Sequence, residues 1–164
     1  MISGLYGAGH NQVSYTVSNE YFTEFKFEQF EIAPAISGMF GAALVGWQAS
    51  WWMGAIIGMF VIPFGLLIRD PRAYFLWMLR VFGLILITTI GVGLVALLIS
   101  FYVITPQTIG DFVFRDKQLA DPVAFLRAGT MHNASYFGGL LGILIGLGSI
   151  LRRFLYLETG SSKI

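Results

Sequence analysis

The chain of 164 residues has two histidines, and they sit in phrases that resemble each other: "GHNQVSY" at 9–15 and "MHNASYFGG" at 131–139. In each, His-Asn is soon followed by Ser-Tyr. A neutral imidazole carries one N–H and one lone pair, so it can shuttle a proton or ligate a metal. Two imidazoles on one metal ion, each about 2.1 Å from it, would hold their nitrogens roughly 3–4 Å apart. His10 and His132 are therefore the candidate metal ligands, with Glu20 or Glu24 available to complete a nitrogen–oxygen set. Glycines beside His10 would leave room for a flat cofactor such as haem. Asn11, Asn133 and Ser135, with Glu20 and Glu24, make up the wider polar cluster that such a centre would recruit. Against this, two histidines have no recognised ligand spacing, and His, Asn, Ser and Tyr also satisfy backbone groups where helices end. Both readings place the two phrases at similar depth in the fold.

Little else in the sequence points to chemistry. There is no cysteine, which excludes disulfides and thiolate ligands. No nucleophile elbow, phosphate-cradling glycine loop or HExxH pair occurs, so no catalytic activity is evident. A net charge of +1 gives no argument for nucleic acid. The first residues lack a basic stretch and a cleavage site, and no removable signal peptide is expected.

The elements that must position the histidines are set by where charge is absent. Hydrophobic residues make up 56% of the chain and charged residues 12%, against about 25% charged in soluble proteins. No Lys, Arg, Asp or Glu occurs in 33–68, 81–110 or 128–151. Each run exceeds the roughly 20 apolar residues that cross a 30 Å hydrocarbon core as helix, the form that satisfies its own backbone in lipid. The expected fold is an all-α integral membrane protein, one membrane domain with spanning helices over 34–68, 71–104 and 130–151. A partial apolar segment at 1–9, an amphipathic helix on the outer surface at 18–31, and an outer loop with a short helix at 105–129 complete it. Asp70-Pro71 and Asp121-Pro122 read as helix starts, Thr105-Pro106 and Gly129 as helix ends. Pro63 is expected to kink the first span. Between 12 and 18, Val13, Tyr15 and Val17 alternate with polar residues at the period of a strand. His132, placed in the first turn of its helix, would be disfavoured as imidazolium by the helix dipole.

Six basic residues (Arg69, Arg72, Arg80, Arg152, Arg153, Lys163) fall on one side of the spans and four (Lys26, Arg115, Lys117, Arg127) on the other. The positive-inside rule then puts the C-terminus in the cytoplasm. Glu20, Glu24, Glu28 and Glu31 fall on one helical face, to be read either as a solvated face or as a cation-attracting rim.

Twenty glycines among helices need a reason. Gly46, Gly54 and Gly58 recur at multiples of four residues, as do Gly138, Gly142 and Gly146, tracing small-residue faces along which helix backbones approach closely. Those faces serve either packing within the chain or association into a homo-oligomer or larger membrane complex. A membrane subunit or scaffold joined through them is the first functional reading. A channel or transporter with a polar His/Asn entrance and an acidic rim is the alternative, as is a His-ligated metal or haem protein. The phrases "SYTVSNEYFTEFKFEQF", "GAALVGWQASWW" and "HNASYFGG" resemble a group of small bacterial multi-pass membrane proteins of no assigned function, over most of 12–146. The resemblance implies a bacterial plasma-membrane location and a longer first helix than this chain shows.

Overall fold

The computed structural model describes residues 1–161, with side chains through Tyr156. Its elements are helix α1 (Ile2–Val17), a π-helical turn (Phe22–Lys26) running into α2 (Phe27–Gln29), a 3-10 turn (Pro34–Ile36), α3 (Gly38–Gly65), α4 (Pro71–Val103), α5 (Pro106–Ile109) and α6 (Pro122–Ser161). No strand occurs among the described residues. Three helices, α3, α4 and α6 (over Pro122–Tyr156), are long and apolar enough to cross a membrane.

The helix starts follow from local chemistry. Asp70 Oδ1 accepts the Ala73 N–H at 2.7 Å, and Asp121 Oδ1 accepts that of Ala124 at 2.9 Å. Each cap is followed by proline at the first helical position, where its missing N–H costs nothing. Thr105-Pro106 ends α4, after Ile104 has turned extended. Pro63 lies in the last turn of α3, which stops at Gly65.

The helices form two antiparallel pairs. Along α1 and α3 the close approaches run in opposite order: Gly4 against Trp47, Gly7 against Gly46, Ser3 against Gly54. Asn11 Nδ2 donates to the Ala42 carbonyl at 2.9 Å and Gln12 Nε2 to that of Met39 at 3.0 Å, bonding the same seam. In the second pair, Gly138 of α6 faces Thr89 and Val92 of α4, Gly142 faces Ile85 and Gly146 faces Val81. A Cβ at Gly142 would lie 2.9 Å from the Ile85 Cα, so this face accepts nothing larger than hydrogen. Five of the six candidate packing glycines are thus used within the chain. The sixth, Gly58, is buried, and a Cβ there would meet only Ile62 of its own helix, at 3.4 Å. Apart from Gly58, these glycines pack within the chain.

Four local expectations change. The alternation at 12–18 is helical, because α1 continues through it to Val17. The segment 18–31 is a π turn and a single α turn, folded inward with Tyr21, Phe22 and Phe27 buried, rather than one surface helix. The third span does not begin at Thr130. Helix α6 runs unbroken from Pro122, since Gly129 packs beside the Tyr21 ring instead of terminating the helix. His132 accordingly lies in the third turn of α6, beyond the reach of the N-terminal dipole.

Two hydrophobic clusters close the ends of the bundle. At the end bearing 18–37 and 105–121, hereafter the lid, Tyr21, Phe22, Phe27 and Phe125 pack on Ala42, Val45 and Ala128. At the opposite end, where the arginines lie, Val61, Met78, Val81, Ile85 and Ile150 pack together. The site lies between them.

Candidate functional site

The pairs α1/α3 and α4/α6 meet each other more sparsely than their members do within each pair, and a cavity of about 680 Å³ separates them. All four helices line it, mostly with apolar side chains such as Ile57, Phe82, Leu86 and Ile143. Its polar groups include Tyr6, His10, Ser50, Thr89, His132 and Ser135.

His10 and His132, 122 residues apart, meet here. His10 Nε2 and His132 Nδ1 are 3.2 Å apart, with ring centroids at 4.8 Å. The contact extends in both directions: the Tyr6 hydroxyl is 3.3 Å from His10 Nδ1, and the Ser14 hydroxyl 3.2 Å from His132 Nδ1. Tyr6, His10 and Ser14 are spaced four residues apart on α1, so one helical face presents all three. From the lid, the Tyr21 ring stands edge-on to His132 at 5.1 Å and that of Phe22 at 6.3 Å, which keeps water from the pair on that side.

Protons in this chain are coupled. If Tyr6 donates to His10 Nδ1, then His10 Nε2–H donates to His132 Nδ1, and His132 Nε2 carries an N–H. If the order reverses, His132 Nδ1–H donates to His10 Nε2, and His132 Nε2 presents a lone pair. Nε2 takes no part in the chain itself. The pair can therefore offer a donor or an acceptor at this nitrogen while both rings stay neutral.

Of the other sequence candidates, Ser135 lines the cavity and the rest lie apart from the histidines. Asn11 joins α1 to α3, and Asn133 is exposed on the bundle surface. Ser135 Oγ donates to the Met131 carbonyl at 2.9 Å and sits against Gly93. Glu20 accepts the amides of Ala120 and Asp121 at 2.6 and 2.9 Å, and Glu24 pairs with Lys117 at 3.2 Å. Both carboxylates bind the 105–121 loop to the 18–37 segment and supply the histidines with no ligand. Lys117 also reaches Glu28 at 3.4 Å, so its ammonium is held above the usual range, chiefly by its hydrogen bond to Glu24. Glu20→Ala is expected to loosen the loop and cost about 1 kcal/mol of thermal stability in detergent, the scale of a lost capping carboxylate. An unchanged melting curve would refute that role.

Lys26 is buried among the rings of the lid. Its Nζ donates to Gln29 Oε1 at 2.9 Å and lies 4.3 Å from the Phe25 centroid. Burial, with the Arg115 charge second, pushes its ammonium down to about 8.

Among the described residues, no group of three or more His, Cys, Asp or Glu is placed to hold a metal ion. Sequence reasoning missed Tyr6, Ser14, Ser50 and Thr89. No protein-family model matches the chain, and neither a curated protein nor a solved structure matches it.

Proposed function

We propose that this protein is a membrane transporter or channel that takes an amphiphilic small molecule, its apolar body in the cavity and its hydrogen-bonding head at the histidine pair. The observation that carries this reading is the meeting of His10 and His132 at the margin of an apolar chamber. Ligand sites of roughly 300–1,000 Å³ lined by apolar groups, with few placed polar ones, are the usual form of small-molecule pockets. A neutral imidazole in a membrane is costly and is kept where it acts. The two glycine-sealed helix pairs, meeting sparsely around the chamber, are suited to rock as units about a central site. Glu20, Glu24 and Glu28 have no part in this, since they are engaged in holding the lid. In the same proposal the protein lies in a bacterial plasma membrane with the arginine end in the cytoplasm, supported by the basic residues gathered there.

A benzoquinone bearing a ten-carbon chain is a suitable probe, because it quenches tryptophan and Trp51 lines the chamber. Saturable quenching is expected in the intact protein, about tenfold weaker in His132→Phe, the factor that one hydrogen bond supplies. Equal quenching of both proteins removes the histidines from any head-group role.

A second reading has a specific observation behind it. The His10–His132 and Ser14–His132 separations, both 3.2 Å, match the ligand edges of a tetrahedral metal site. Metal analysis and an optical spectrum of the purified protein test it, and finding neither metal nor haem ends it.

A further inference from the structure

The end of the bundle opposite the lid holds a cluster that the cavity does not use. Trp77, on α4, has the Arg80 guanidinium 5.1 Å from its ring centroid and the Arg153 guanidinium at 5.7 Å. Arg80 lies one turn further along the same helix, whereas Arg153 comes from α6, so cations of two helices converge on one indole. Convergence of like charges at a low-dielectric boundary is unfavourable unless an anion lies between or beside them. Among the described residues the anion is missing: the ion pairs all belong to Lys117 at the lid, and Asp70 is engaged with the Ala73 amide. In addition, Trp77 Nε1 is buried with no acceptor.

Depth identifies what could supply the missing oxygens. Arg80 is the last charge before the uncharged run 81–110, and Arg153 follows within two residues of the run 128–151. Both guanidiniums therefore stand at the edge of the hydrocarbon, the level at which lipid phosphates lie. Basic pockets between spanning helices at this level bind anionic headgroups, and a planar guanidinium matches phosphate with paired N–H donors. We propose that Trp77, Arg80 and Arg153 form a headgroup site for an anionic phospholipid. The two guanidiniums, gathered over the Trp77 ring, bind the phosphate oxygens. This site is separate from the cavity and stands whether or not the cavity reading does.

The test is native mass spectrometry of the detergent-purified full chain with phosphatidylglycerol and phosphatidylcholine of identical acyl chains. The intact protein is expected to retain phosphatidylglycerol at least tenfold better. In R80Q/R153Q that preference falls towards unity, whereas R69Q/R72Q, which removes equal charge from the same end, stays within twofold of the parent. Should R80Q/R153Q not fold, R80K/R153K keeps the charge but loses the fork, and a threefold or greater loss of preference is expected. Equal retention of the two lipids by the intact protein overturns the site. So does an equal loss in R69Q/R72Q, which would make the effect one of general charge, or an undiminished preference in R80K/R153K. Displacement of the lipid by millimolar inorganic phosphate would show a free-phosphate site, and would also overturn it.

Discussion

Gly46→Val is expected to detach α1 from α3. At this crossing Gly7 and Gly46 face each other so closely that a Cβ on either would meet the other's backbone carbonyl oxygen. Side chains can turn away from an intruding methyl, but a carbonyl fixed in a helix cannot. The cost should lie at or above the top of the range for overpacked cores, about 3 kcal/mol. Because α1 carries Tyr6, His10 and Ser14, its release also dismantles the histidine centre. The chain has no cysteine, so a Gln12→Cys/Met39→Cys pair reports the docking cleanly. Those positions are bonded across the seam at 3.0 Å. The pair should cross-link readily in the parent and poorly with valine at 46. Gly148→Val is the control, because a Cβ there meets nothing within 4 Å, and it should melt within about 0.5 kcal/mol of the parent. Undiminished cross-linking in the Gly46 variant would mean that the seam is not as tight as described.

The second large effect concerns the histidines taken together. His132→Leu leaves His10 Nε2 without its partner, whereas in His10→Leu the His132 Nδ1 keeps the Ser14 hydroxyl at 3.2 Å. His132→Leu is expected to cost about 1–3 kcal/mol, the penalty of a buried polar group left unpaired, and His10→Leu less, because Ser14 still partners His132. The double variant removes both members, so its cost should be smaller than the two single costs combined by about 1 kcal/mol or more. Thermal or denaturant melts of the four proteins in one detergent give the cycle. Strict additivity would show that the rings, though adjacent, do not stabilise each other.

The spans were legible because long uncharged runs have one stable form in lipid. Asp70-Pro71 and Asp121-Pro122 placed two helix starts correctly, since cap chemistry is local. That His10 and His132 share a depth was readable from the same runs. Their contact was not, because it depends on how α1 crosses α6, and nothing local encodes that crossing. A usable signal was nevertheless present and obscured. Tyr6, His10 and Ser14 stand at intervals of four, a helical face, but the alternation of Val13, Tyr15 and Val17 suggested a strand over the same residues. Gly129 misled in another way: it resembles a helix terminator, yet the missing side chain makes room for the Tyr21 ring. Arg127, which looked like a loop charge, donates from Nη2 to the Ile104 carbonyl at 2.8 Å and closes the end of α4. The π turn at Phe22–Lys26 follows from the burial of Tyr21, Phe22 and Phe27 against the bundle, a tertiary demand with no counterpart in spacing.

Helix α6 is 40 residues without a break, about 60 Å at 1.5 Å per residue. Phe125 under the lid, His132 at the chamber, Gly142 in the seam and Arg153 near the phosphate level are therefore points on one stiff beam. Such a beam cannot tilt at one station and stay still at another. Whatever grips it near Arg153 is mechanically in series with the aromatic lid, so a lipid held at the proposed headgroup site would be felt at the opposite end of the bundle.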